Sequence, residues 1–157
     1  MESIGLVVQK VRNGSGVIAT REFSQGEIVF LFGGVLLGLK EASLLSEEEK
    51  SNTIRFSATE YLSPKGTFGN FLNHSCDPNS YVKKDGAGLS VIAIRDIKPG
   101  EEVTMDYSTV LARDDDWTME CNCGSQNCRK MIIKFDLLDE AIKEKYRKLG
   151  AVPEYID

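Results

Sequence analysis

Phe71-Leu72-Asn73-His74-Ser75-Cys76-Asp77-Pro78-Asn79 is the stretch on which the reading of this chain turns. An apolar pair leads into a dense run of polar and turn-forming residues. His74 is the only histidine, and Cys76 is one of four cysteines. Taken alone the run is ambiguous. A lone histidine more often reports packing or surface polarity than catalysis, and a His and a Cys two positions apart do not make a hydrolase dyad, because geometry rather than proximity in sequence defines a catalytic pair.

Downstream, Cys121, Cys123 and Cys128 form C-x-C-x4-C, far from Cys76. Four sulfurs suit one tetrahedral Zn2+, and Gly124 and Ser125 let a short loop wrap around the ion. Ordinary thiols and redox chemistry remain the alternatives. The start, Met1-Glu2-Ser3-Ile4-Gly5, has no basic region followed by an apolar core, so the expected address is intracellular, which argues against two disulfides. Upstream, Gly14-Ser15-Gly16-Val17-Ile18-Ala19 spells a dinucleotide fingerprint, but Thr20 to Phe32 returns to a strand-like run instead of opening a helix, and the Rossmann reading is rejected. What remains is a glycine turn between strands or a close approach of backbone to a ligand. Lys98-Pro99-Gly100-Glu101-Glu102-Val103-Thr104-Met105-Asp106-Tyr107 reads as a turn, a strand and an exposed end.

The whole chain of 157 residues fits one compact domain. With 41% hydrophobic and 27% charged residues it can bury a core, which excludes disordered and fibrous classes. Its 19 Lys+Arg against 24 Asp+Glu give a net charge of -5, opposite to the footprint of a nucleic-acid binder, so basic partners and no direct nucleic-acid binding are expected. The apolar run Ile28 to Leu39 is too short to span a membrane and is broken by Gly33, Gly34 and Gly38. Strands are predicted at Leu6 to Val11, Gly16 to Thr20, Glu27 to Phe32, Leu89 to Arg95 and Glu102 to Met105, with turns at Gln25-Gly26, Pro64-Lys65-Gly66, Lys84-Asp85-Gly86 and Lys98-Pro99-Gly100. Helical spacing predicts a helix over Asp136 to Leu149, stopped by Gly150, and good helix formers mark a weaker one at Glu41 to Lys50.

Taken in order, these stretches resemble the SET-domain protein lysine methyltransferases followed by a post-SET zinc motif. Gly14-Ser15-Gly16 resembles the family's N-terminal cofactor loop, Phe71 to Asn79 its most diagnostic run, Gly100 to Tyr107 its tyrosine motif, and Cys121 to Cys128 the post-SET pattern. The resemblance implies a mainly β fold of small twisted sheets with a knot-like crossing. It divides the chain into a SET domain at 1–114, a post-SET zinc motif at 115–131 and a C-terminal helical extension at 132–157. S-adenosylmethionine and a lysine-bearing protein or peptide then enter from opposite faces and meet through a narrow channel. Cofactor contacts fall on Gly14, Ser15, Gly16, Tyr61, Asn73 and His74, catalysis on Tyr107, and the substrate channel on Met105 and Tyr107. Cys76, Cys121, Cys123 and Cys128 hold one structural Zn2+. Two positions depart from the family pattern: Asn70 stands where Arg is frequent, and Met131 where a pocket-closing aromatic is frequent, which leaves the replacement open, with Phe135 one candidate. The rivals are a noncatalytic zinc-stabilised peptide-binding module and a methyltransferase acting on a small amine.

Overall fold

The computed structural model describes residues 1–86 and 88–156. In chain order its strands are β1 (Glu2–Ser3), β2 (Leu6–Val11), β3 (Gly14–Ala19), β4 (Ile28–Phe32), β5 (Val35–Gly38), β6 (Ile54–Arg55), β7 (Glu60–Ser63), β8 (Asn73–His74), β9 (Ser80–Asp85), β10 (Gly88–Ala93), β11 (Glu102–Met105), β12 (Met119–Glu120) and β13 (Met131–Ile132). The helices are α1 (Leu39–Ser43), α2 (Glu47–Ser51) and α3 (Glu140–Leu149). The strands make four small sheets, ordered β1-β2-β3-β11-β8, β4-β10-β9, β5-β7-β6 and β12-β13. The architecture is mainly β with a C-terminal helix, as expected.

Alternation explains the central strands. Along β10, Leu89, Val91 and Ala93 point inward while Ser90 and Ile92 alternate with them, matching the two-residue period of a half-buried strand. They pack with Leu6, Val17, Val82, Ile97 and Val103 in one core. A second cluster, built from Phe135, Leu138, Tyr146, Ala151 and Ile156, seats α3. Among the described residues no helix is long and apolar enough to cross a membrane.

Three local expectations change. Gly14-Ser15-Gly16 is not the turn itself: the chain reverses at Arg12-Asn13, and all three residues lie in β3. A Cβ at Gly16 would meet the Glu102 carboxylate and the Val11 side chain, so a larger residue there would require those side chains to shift. The Glu41 to Lys50 helix splits into α1 and α2, because Ser46 starts a new helix: its hydroxyl accepts from the Glu49 N–H while the Glu49 side chain accepts from the Ser46 N–H. The last helix begins at Glu140, after a 3-10 turn at Phe135–Leu137. It ends as predicted at Gly150, which is left-handed at φ 66°.

The 3-10 turn Phe68–Phe71 feeds β8, and it lies so close to β4 that a Cβ on Gly69 would overlap the Phe32 ring. Gly69→Ala is therefore expected to destabilise the fold by about 1–3 kcal/mol through overpacking, read as a lower midpoint in urea unfolding. An unchanged midpoint would contradict the close approach.

Candidate functional site

The site is assembled where β8 and β11 run side by side and parallel, pairing Asn73 with Thr104 and His74 with Met105. So short a strand pair needs further ties, and the polar residues after His74 supply them. Asn79 donates to the Glu102 carbonyl at 2.8 Å and accepts from the Thr104 N–H at 2.9 Å. The Ser80 hydroxyl donates to the Thr104 carbonyl at 2.8 Å, and the Ser75 N–H to the Met105 carbonyl at 2.9 Å. Asn73 links this pair to the β2–β3 hairpin: its amide NH2 donates to the Ser15 carbonyl at 3.0 Å and to the Glu102 carboxylate at 2.7 Å. Both hydrogens are thereby used, which leaves Oδ1 for another partner.

His74 is a buried, neutral imidazole. Its Nδ1 accepts from the Tyr107 N–H at 3.1 Å, so the ring proton sits on Nε2, which donates towards Cys76 Sγ at 3.3 Å. Burial, with the nearby Arg129 cation, pushes its pKa down to about 4 against the opposing pull of Asp106. The 3.5 Å separation between Nδ1 and Asp106 is accordingly a proximity of two acceptors and not an ion pair.

Tyr107 follows β11 and opens the 3-10 turn Tyr107–Val110. Its hydroxyl donates to the Leu72 carbonyl at 2.7 Å, and its ring lies 5.4 Å from His74 and 6.2 Å from Trp117. Burial, and secondarily the Glu102 charge, hold its pKa well above the ordinary phenol value, so it stays protonated. Two cavities meet at this ring. The larger, about 430 Å³, is lined by Tyr61, Leu72, Met105, Tyr107, Asp115 and Trp117 among others. The smaller, about 310 Å³, is also lined by Tyr107, with Asn13, Asn73, His74, Met119, Asn122 and Ile132 among others. Both sizes suit small-molecule or side-chain ligands. Amide groups beside Met119 and Ile132 give the smaller cavity a mixed polar and apolar wall.

The four cysteines also converge. All their sulfurs lie within 4.8 Å of one another, and Cys76 and Cys121 are 3.6 Å apart. A tetrahedral Zn2+ with Zn–S bonds of about 2.3 Å needs sulfur–sulfur edges of about 3.8 Å, so the cluster fits the ion. Burial pushes the Cys76 and Cys121 thiols up, and a divalent cation is what would let a buried thiolate set persist. Gly124, at φ 81°, lets the loop pass so near the β2–β3 hairpin that a Cβ would collide with the Arg12 guanidinium.

Two expectations are redirected by this geometry. Tyr61 does not join Asn73 and His74. Its strand belongs to the β5-β7-β6 sheet, and its hydroxyl donates to Asp115 at 2.9 Å within the larger cavity, beside an Arg55 guanidinium that also binds Asp114 and Asp115. Phe135 does not close either cavity, because it is fully buried beneath α3. The aromatic that does stand beside Tyr107 is Trp117. It belongs to none of the sequence motifs, and its only signal is that it is the chain's single tryptophan, placed between the tyrosine motif and the cysteines.

The cysteine geometry has a direct consequence. Reduced protein is expected to contain about one equivalent of zinc per chain, and Cys121→Ser to lose the metal and loosen the C-terminal region, because structural zinc contributes to folding. Elemental analysis finding no zinc in freshly prepared wild-type protein would contradict the assignment.

Comparison with known proteins agrees with the order of the motifs. A family model described as SET domain matches residues 14–108. A protein of Caenorhabditis briggsae named "Probable histone-lysine N-methyltransferase set-23" is 35% identical over 136 residues, covering 76% of this chain and 56% of the relative. A Candida albicans protein named "Histone-lysine N-methyltransferase, H3 lysine-36 specific" is 30% identical over 142 residues, covering 80% of this chain and 16% of the relative. A histone-lysine N-methyltransferase of Arabidopsis thaliana is 30% identical over 139 residues, covering 80% and 37%. The chain thus spans little more than half the length of the first of these relatives and smaller shares of the others. Its diagnostic run, its tyrosine motif and the parallel pair that joins them all fall inside the matched region, and the chain belongs to the SET domain family.

Proposed function

We propose that this chain transfers methyl groups from S-adenosylmethionine to the side-chain amine of a lysine in a protein substrate. The observation that carries the reading is that Tyr107 lines two cavities, a smaller one that also has Asn73 and His74 in its wall and a larger one that also has Tyr61, Met105 and Trp117. S-adenosylmethionine held in the first would supply an electrophilic methyl to the amine lone pair, its C–S bond breaking to leave a neutral thioether and the surplus amine proton passing to solvent.

The chain's own part is to orient and to exclude water. Because the Tyr107 hydroxyl proton is committed to the Leu72 carbonyl, its oxygen lone pair faces outward as an acceptor. It can hold one amine N–H and so aim the nitrogen lone pair at the other cavity. A phenol whose pKa is raised by burial is no base, and none is needed on the enzyme. At pH 7 a free lysine costs about 4.6 kcal/mol to deprotonate, and a desolvated channel disfavours the ammonium form. The reading puts the cofactor beside Asn73 and His74, which line the smaller cavity, with the Gly14-Ser15-Gly16 strand tied to Asn73 through the Ser15 carbonyl. Cys76, Cys121, Cys123 and Cys128 would hold a Zn2+ with no open coordination position, so its role is scaffold. Residues 1–114, 115–131 and 132–157 then act as catalytic domain, post-SET metal loop and helical buttress. The net charge of -5 and the names of the relatives favour a basic protein substrate, histones being the class those names print.

Tyr107→Phe is expected to lower methyl transfer on the order of a hundredfold through lost orientation, with cofactor affinity nearly unchanged. Asn73→Ala is expected to do the reverse, weakening cofactor binding first. Calorimetric titration with S-adenosylhomocysteine, paired with transfer of labelled methyl to core histones, separates the two. Full turnover by Tyr107→Phe, with chemistry limiting the rate, would refute its role.

Met105 lines the larger cavity beside Tyr107 and is fully buried. Its flexible thioether carries no hydroxyl to crowd a methylated amine, so addition beyond one methyl is expected. Met105→Tyr should shift the product towards monomethyl-lysine in intact-mass analysis. A wild type that halts at one methyl under excess cofactor would contradict the roomy channel.

A further inference from the structure

Asp106 immediately precedes Tyr107, and its side chain is entirely shielded from solvent. Three separate parts of the chain hold it. Arg129, next to Cys128, donates to Oδ1 at 2.7 Å; the Ser108 N–H donates to the same oxygen at 3.1 Å; the Tyr146 hydroxyl of α3 donates to Oδ2 at 2.9 Å. The carboxylate therefore caps the 3-10 turn that Tyr107 opens, and the Thr109 N–H and hydroxyl bind the Asp106 carbonyl as well. With the Tyr107 N–H held by His74, the backbone at Tyr107 is fixed from both sides. Tyr146 is itself 1% exposed and packed with Phe135, Leu138 and Ala151, so its hydroxyl arrives from a rigid seat.

We propose that Tyr146 is a positioning residue for Tyr107, acting through Asp106, so that the C-terminal helix, which lies outside the segment matched by the family model, sets the geometry of the reacting centre. The inference rests on the methyl-transfer reading of the Tyr107 site. Without the Tyr146 hydroxyl, one oxygen of a buried carboxylate loses its partner. The group then swings towards its remaining donors, Arg129 and Ser108, and carries with it the turn that aims the Tyr107 hydroxyl. A small displacement there is costly because alignment is most of what this site contributes.

Tyr146→Phe keeps the ring and removes only the hydroxyl. Tyr155→Phe is the matched control, since Tyr155 is a half-buried tyrosine of the same C-terminal tail whose hydroxyl donates to the Arg55 carbonyl at 2.9 Å, away from Asp106. Transfer of labelled methyl from S-adenosylmethionine to core histones gives kcat and KM, and melting gives stability. Emission from Trp117, the single tryptophan and a neighbour of the Tyr107 ring, reports the local geometry without any turnover. The expected result for Tyr146→Phe is a kcat lower by about tenfold to a hundredfold, KM for S-adenosylmethionine within about twofold, and a shifted Trp117 emission. Tyr155→Phe should lose stability alone. Should Tyr146→Phe not fold, Asp106→Asn, which keeps the side-chain shape, is expected to give the same kcat and emission signature. Wild-type kcat and emission in Tyr146→Phe, or an equal kcat loss in Tyr155→Phe, overturns the positioning role. A wild type without methyl transfer to any lysine overturns the functional reading instead, and the Trp117 emission still decides whether Tyr146 shapes the Tyr107 site.

Discussion

Two register positions, Asn73 beside Thr104 and His74 beside Met105, hold everything else at the site in place. The parallel pair joins segments distant in sequence, and closing such a loop costs entropy before any contact repays it. So brief a ladder does not meet that cost alone. The Asn79 side chain acts as an extra length of backbone, donating to one residue of β11 and accepting from another, and Ser80 adds a third tie. Once the pair is formed, Tyr107 falls beside His74 and Cys76 falls beside the late cysteines. The placement of the Tyr107 hydroxyl and the convergence of the four cysteines are then consequences of one alignment.

The electrostatics of the site follow from how little water reaches it. His74 and Tyr107 are both kept neutral by burial, and the buried carboxylate of Asp106 is met by Arg129. That ion pair is well shielded on both partners, so its worth lies less in net stability than in fixing one arrangement of three segments. Arg55 plays a parallel part across the larger cavity, where its fork binds Asp114 and Asp115 and so holds the Tyr61 side of the wall. A surface pair such as Lys148 with Glu144 contributes little by comparison.

What could be read from the sequence is what repeats or matches a motif. The alternating strands at Leu6 to Val11 and Glu102 to Met105 emerge with the bounds that periodicity sets, and Gly150 ends the last helix for a stereochemical reason visible in one letter. The cysteine spacing pointed to a four-sulfur cluster, which the fold brings together. Hidden from view were elements too short to carry a period. β6 and β8 are two residues each and exist only because a neighbouring strand is already there. Tyr61 lies on a different sheet from Asn73 and His74 and lines the larger cavity, a separation that order along the chain does not reveal. Trp117 and Tyr146 lacked a motif altogether. Their importance comes from contacts with Tyr107 and Asp106 that no spacing rule encodes.

The central claim is that Tyr107 divides a cofactor site from a lysine channel. Its most direct test is a crystal structure of the protein with S-adenosylhomocysteine and a lysine-bearing peptide. The expected result has the cofactor product against Asn73 and His74, the lysine entering past Met105 and Trp117, and its amine on the Tyr107 hydroxyl oxygen while that hydroxyl still donates to Leu72. Both ligands on one side of the Tyr107 ring, or a lysine amine out of reach of its hydroxyl, would contradict it.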